Sequence, residues 1–414
     1  MKTAIPLAAC CAAIATTPAM AAAPGAPVPI ADGVTLDPIV DGRLRWESVD
    51  QPGIDRDADG VTMRLRAGAE IKAGNFSALA EGEGVLALAD GYNAFPFANP
   101  ASSRYRPGRS VVPDPETVGL NRLQLAYEVN GSGVTLGRQR INLDDQRWVG
   151  SVGWRQDEQT FDAVRGEAKL GPVTLDGTWS WSQRTIFGSE SGPRQSYDGD
   201  FFLGGAEVKA GPLAIKGFAY LLDYDDPLQV GLSSKTYGVR ATGAFPLGTA
   251  VKLDLTGSYA RQWDWRTSAR NYAADYVAGE GGLSFGGLRL AGGYENLGSD
   301  NGFSLQTPLA TLHKFNGTAD VFLTTPASGL QDAYASATCK LGDVGPLKGV
   351  NANVTWHQFD SDVGDVEFGT EWDAQVTFKL SQFVLLAKYA RYDAVSVPAS
   401  GDVEKFWLSL EFAI

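Results

Sequence analysis

In residues 61–71 every second side chain is apolar: Val61, Met63, Leu65, Ala67, Ala69 and Ile71. Between them stand Thr62, Arg64, Arg66, Gly68 and Glu70. A period of two sends these two sets to opposite faces of a strand. The pattern returns in residues 173–182, 251–259 and 371–380, always between a tight turn and a long polar loop. A sheet apolar on one face and polar on the other over a whole chain fits a barrel with lipid outside and water inside.

The beginning of the chain points to export. Lys2 precedes a short apolar stretch, residues 5–15, and Ala19-Met20-Ala21 supplies small residues at a cleavage site. Residues 1–21 are therefore expected to be a cleaved signal peptide. Residues 22–36 follow as a short periplasmic segment, and 37–414 form the barrel. No later stretch approaches the ~20 apolar residues of a membrane helix, so a helical membrane protein is excluded.

Turn chemistry counts the strands. Short connections fall at residues 73–75, 130–133, 171–172, 211–212, 246–249, 286–287, 342–347 and 381–382. Long ones alternate with them at 50–60, 90–117, 142–159, 185–200, 223–234, 262–275, 297–331, 360–369 and 393–402. Eight short and nine long connections join eighteen strands, with both termini on the short-turn side. The expectation is an all-β, transmembrane, antiparallel barrel of about 18 strands in the outer membrane, with short periplasmic turns and long extracellular loops. Phe406, Leu408, Leu410, Phe412 and Ile414 share one face of the last strand, the amphipathic end that insertion machinery reads, although the usual terminal aromatic is replaced by Ile414 with Phe412 two residues before it.

Charge and cysteine content narrow the rest. A net charge of −13 argues against nucleic acid as a partner. After export only Cys339 remains, so no internal disulfide is expected. One cysteine with His313 and His357 cannot build a zinc cluster, and no cofactor or metal is expected. The acidic loop containing Asp55, Asp57 and Asp59 begins with calcium-loop spacing but has Arg66 where the closing glutamate belongs, and reads as solvated. Two histidines also leave few ways to build a hydrolytic site, which makes a barrel-embedded hydrolase a minor alternative.

Residues 137–166 hold five arginines: Arg138, Arg140, Arg147, Arg155 and Arg165. Val134 and Leu136 set the outward parity, which continued strictly would put Arg138 and Arg140 in lipid, at ~2–4 kcal/mol each at the midplane. A bulge or parity switch near Gly137 is expected to turn the pair inward. With Arg64, Arg66, Arg122, Arg165 and Arg240, inward by parity, they would form an electropositive constriction. The alternative keeps Arg138 and Arg140 at the outer rim against lipopolysaccharide phosphates. Inward acids such as Glu81, Glu83 and Asp254 raise a third case, in which some arginines are simply paired.

The segment GRQRINLDDQRWVGSVGWRQDEQTFDAVRG at 137–166 resembles the core signature of the alginate-export family of outer-membrane porins. VPDPETVGLNRLQLAY at 112–127, KTYGVR at 235–240 and KFNGTADVFLTTPASGLQDAYAS at 314–336 support the resemblance. It implies an eighteen-stranded barrel and an arginine-rich pore for polyuronate or related anions, with Arg138 and Arg140 as its pore-lining pair. The function expected is passive diffusion of anionic or sugar-like solutes, with an export pore for an anionic exopolysaccharide as the alternative. Partners would be outer-membrane lipid and lipopolysaccharide, the barrel-insertion machinery, and an anionic solute or oligosaccharide.

Overall fold

The computed structural model describes residues 26–396 and 401–413. The expected signal peptide and Ile414 lie outside the described residues. Eighteen long strands follow in chain order. The first nine are β1 (Val34–Asp50), β2 (Ala58–Ala73), β3 (Phe76–Gly91), β4 (Thr117–Val129), β5 (Ser132–Gln139), β6 (Thr160–Leu170), β7 (Val173–Arg184), β8 (Ser196–Ala210) and β9 (Leu213–Tyr224). Then come β10 (Ser234–Leu247), β11 (Val251–Asp264), β12 (Ala273–Phe285), β13 (Leu288–Leu297), β14 (Leu330–Val344), β15 (Leu347–Asp360), β16 (Glu367–Leu380), β17 (Phe383–Ala394) and β18 (Val403–Ala413).

Each strand pairs antiparallel with its neighbours, and β1 pairs with β18 from Asp41↔Ala413 to Asp50↔Glu404, which closes the cylinder. Closure removes the sheet edges that lipid could not satisfy. A short strand, Val28–Ala31, folds back on the start of β1 at the periplasmic end. The barrel and its strand count are those read from the alternation and the turns.

Outward side chains form a greasy belt: Leu65, Leu86, Leu123, Leu125, Val239 and Leu255 are all exposed. In water such a surface would aggregate; in a membrane it is the lipid contact. Trp46, Trp179, Tyr237, Tyr259 and Trp372 stand near the long-loop ends of their strands, where an interfacial girdle belongs. On β18, Phe406, Leu408 and Leu410 alternate with inward Lys405, Trp407 and Ser409, matching the face read from the sequence.

The interior is less uniformly wet than the alternation suggests. Near the long-loop ends, inward positions carry Phe201 and Leu203 of β8, Phe218 and Tyr220 of β9, Phe359 of β15 and Tyr392 of β17. Two long loops, residues 140–159 and 298–329, fold into this space. Ile141, Leu143 and Val149 of the first and Leu305, Leu309 and Phe322 of the second are buried among those rings. At ~1.5–3 kcal/mol for each large apolar side chain buried, this core is what holds the loops inside. A third loop, residues 92–116, makes its own small core of Tyr92, Phe95 and Val112 over the mouth.

Candidate functional site

The first inward loop starts where β5 ends. Gly137 has φ +114°, and a Cβ there would sit 2.3 Å from the Leu123 carbonyl oxygen, so only glycine fits. The register nevertheless runs unbroken through it: Leu136 opposes Val164, Gly137 opposes Ala163 and Arg138 opposes Asp162. Directly opposed residues share a face, and Arg138 also opposes outward Leu123. The expected inward turn of Arg138 is therefore corrected. Arg138 stays on the outer face, forked onto Asp162 at 2.8 Å and donating to the Leu120 carbonyl at 3.2 Å. The inward turn comes after Gln139, where the strand stops, and it carries Arg140 into the lumen.

Arg140 joins an ionic cluster on the wall. It pairs with Glu158 and lies 3.3 Å from Glu81. Arg122 forks onto Glu81 at 2.7 and 2.9 Å, and Arg66 pairs with Glu83 and, at 3.4 Å, with Glu158. A bulge between Glu81 and Gly82 brings Asn121 inward beside Arg122, where its amide donates to Glu81 at 2.8 Å and Glu158 at 2.6 Å. Three arginines thus meet three glutamates, and their charges cancel locally. Arg64 pairs with Asp41, Arg165 lies 3.2 Å from Glu167, and Arg240 lies 2.7 Å from Asp145. All five arginines expected inward by parity face inward, but the seven form no ring, and only Arg240 borders the main cavity.

That cavity, about 870 Å³, lies below the inward loops. One side is cationic. Arg43 and Arg45 of β1 adjoin Arg64 and Arg66 of β2, with Lys388 of β17 and Lys405 of β18 on the other flank. Arg43 and Lys388 reach the cavity. Arg43 donates to Glu411 at 2.8 Å and to the carbonyls of Gly153, Trp154 and Arg155 at 3.0–3.1 Å, pinning the first loop. Trp154 is then sandwiched: Arg45 lies 4.1 Å above its ring, Lys388 4.6 Å away, and His313 stacks at 4.3 Å.

His313 belongs to the second loop, which folds in as a constriction. Lys388 donates to its Nε2 at 2.8 Å, its Nδ1 meets Asp320 at 2.6 Å, and Asp320 meets Lys405 at 3.1 Å. Accepting from an ammonium group requires a neutral ring with its proton on Nδ1. Burial holds it so, pushing the pKa down to about 3 against the pull of Asp320.

The facing side carries acceptors and hydroxyls. Glu295 of β13 takes Arg147 at 2.7 Å, the Tyr276 hydroxyl at 2.6 Å and the Asn316 amide at 2.6 Å. Asp332 of β14 meets His357 at 2.9 Å, and Tyr334 donates to Glu280 at 2.9 Å. Across the lumen the tip of the first loop is moored by Lys216–Asp144 at 3.2 Å and Arg240–Asp145 at 2.7 Å. His357 lines the cavity, and Arg43, Arg45, Lys388 and Lys405 are inward residues that the sequence reading did not single out. Their signal is the same alternation: Arg43 and Arg45 flank Leu44, and Lys405 and Trp407 flank Phe406.

A family model described as alginate export matches residues 43–292. No curated protein sequence matches the chain. Solved structures match along nearly its whole length. Acinetobacter baumannii OccAB1 superposes with a TM-score of 0.70 at 13% identity, covering 92% of this chain and 96% of that one. Pseudomonas aeruginosa OccK5 (OpdH) gives 0.69 at 13%, with 92% and 98% covered. Pseudomonas aeruginosa OccK2 (OpdF), crystallised in complex with glucuronate, gives 0.66 at 14%, with 92% and 96% covered. At these identities the likeness concerns the fold alone.

Proposed function

The chain belongs to the alginate export family, an outer-membrane β-barrel with a charged lumen, and from that premise we propose that it is a channel for passive diffusion of hydroxylated carboxylates, uronate oligosaccharides foremost. One observation carries the reading: a single cavity sets Arg43 and Lys388 on one side against Glu280, Glu295, Asp332 and Tyr334 on the other. A uronate unit has both chemistries. Its carboxylate would be drawn to the cations, and its hydroxyls would donate to the acceptors. A simple anion would use one wall, and a neutral sugar the other. The glucuronate held by OccK2 is a ligand of that protein; it lends the same chemistry to this chain as analogy.

Single channels in planar bilayers test this. Oligogalacturonate should interrupt the current more often than a neutral oligosaccharide of equal length, or than a simple dicarboxylate. Lys388→Gln should reduce the galacturonate events toward the neutral-sugar rate. Equal interruption by all three solutes would refute the proposal.

A further inference from the structure

Four of the periplasmic turns carry one short motif, Lys72-Ala73-Gly74, Lys169-Leu170-Gly171, Lys209-Ala210-Gly211 and Lys379-Leu380-Ser381, and Lys340-Leu341-Gly342 repeats it at a bulge of β14 just before the turn at Gly345. The third residue has positive φ in every copy, between +56° and +72°. The lysine therefore stands two residues before a left-handed residue each time, at the corner of the turn in four copies and at the bulge of β14 in the Lys340 copy. Parity gives its direction. Arg64 and Arg66 place Lys72 inward on β2; buried Phe161 and Ala163 do so for Lys169, Phe201 and Leu203 for Lys209, Asp332 and Tyr334 for Lys340, and Glu371 and Asp373 for Lys379. Lys252 of β11 joins them, inward on the same strand face as buried Ala260.

We propose that these lysines form a cationic collar that captures polyanions arriving from the periplasmic side and feeds them to the lumen. The proposal rests on the anionic-solute reading above and adds to it a side of entry. All six lysines are exposed. Lys72 is shared with Glu70 at 3.1 Å and Lys209 with Glu207 at 3.3 Å. Among the described residues Lys169, Lys252, Lys340 and Lys379 have no carboxylate within ion-pair distance.

The acids one step further in are engaged: Glu167 with Arg165, and Asp254 and Glu280 with Arg289. Of the unengaged acids, Asp37 lies on β1, and Glu128 lies on β4, across β5 from Lys169 of β6 but outside ion-pair distance of it. Each lysine alone binds weakly, but a chain carrying a carboxylate on every unit meets several at once, and successive contacts become intramolecular. A snorkelling role would require the lysines to face lipid, and docking an acidic protein would be served by lysines pointing out of the mouth. These point across it.

The test is side dependence. Oligogalacturonate of defined length is added to one face at a time of a bilayer holding channels of known orientation, and the rate of blocking events is measured. At low salt the periplasmic on-rate should exceed the extracellular one by about tenfold or more, the range of electrostatic steering, and fall steeply with added salt. The variant Lys169→Gln/Lys252→Gln/Lys340→Gln/Lys379→Gln should abolish the asymmetry, and the corresponding arginine variant should keep it. Equal on-rates from the two faces of the wild type, or an asymmetry untouched by the glutamine variant, would overturn the collar; capture of an acidic peptide alongside equal on-rates would reassign the lysines to a protein partner. Reversal potentials in small salts report separately on the anion reading, so the two ideas fail by different measurements. The salt dependence needs only the wild-type channel, so a variant that did not fold would leave the test intact.

Discussion

Two regions of the inner wall are rich in arginine, and they behave differently. On β2–β4 and at the two ends of the first inward loop, Arg66, Arg122 and Arg140 are interlocked with Glu81, Glu83 and Glu158. On β17, β18 and β1, Lys388 and Arg45 are short of partners: Lys388 has a neutral imidazole and aromatic faces, and Arg45 has Asp114 only at 4.0 Å. The first cluster cancels its own field and acts as a strut where β5 leaves the wall. The second leaves positive potential beside the cavity. A lumen arginine thus marks function only when its charge is not already spoken for.

The largest effect should come from breaking the strut. Glu81→Ala removes the acceptor of Arg122, Arg140 and Asn121 together. Uncompensated buried charge costs about 3–5 kcal/mol, to be read as a lowered urea midpoint for the refolded barrel. Anion preference should persist in the molecules that fold. A Glu81→Ala channel of unchanged stability and altered selectivity would exchange the roles of the two regions.

Next in size is Lys388→Gln. Removing a cavity cation is expected to cost on the order of 1 kcal/mol of attraction for a passing carboxylate in a partly wet lumen, a factor of about five in the anion-to-cation permeability ratio. Arg66→Gln, in the neutral cluster, should shift that ratio much less. Reversal potentials across a potassium chloride gradient compare the two directly.

Acid should loosen the constriction. Docked, His313 titrates at about 3; released into water it returns to 6.5. The docked loop therefore binds fewer protons between these values. Docking is fully favoured above pH 6.5 and weakens as pH falls toward 3. Current noise should rise over that range in the wild type. It should change less in His313→Gln, whose amide can accept from Lys388 and donate to Asp320 without titrating.

Much of this was legible in the chain. Strand number, closure and the inward arginines follow from a period of two, which is local. The apolar upper interior is hidden because alternation fails there: Phe201 and Phe202 are adjacent, one inside and one in the lipid belt. Partnership is hidden for another reason. Arg147 meets Glu295 and Arg155 meets Glu47 across more than a hundred residues of chain, and no spacing rule reports on such pairs. Arg43 and Arg45 were as readable as Arg64 and Arg66, in the strand just before.

Arg138 gives the sharpest negative prediction, because sequence and structure disagree about it. The cost of an arginine in lipid and the family resemblance made it, with Arg140, a leading pore residue, yet the register puts it where strict parity would, opposite Leu123 on the outer face and paired with Asp162. Its guanidinium also caps the Leu120 carbonyl beside β4 residues that β5 no longer covers. Arg138→Ala should therefore leave permeability ratios where they are. The half-exposed ion pair adds no more than about 1 kcal/mol, with a further ~1 kcal/mol for the carbonyl left without its donor. Arg140→Ala, two residues on and inside, should destabilise more, since Glu158 and Glu81 lose a counter-charge. If Arg138→Ala instead weakened anion preference while Arg140→Ala did not, the strand would have to switch faces at Gly137 after all, and the assignment of the neutral strut would fall with it.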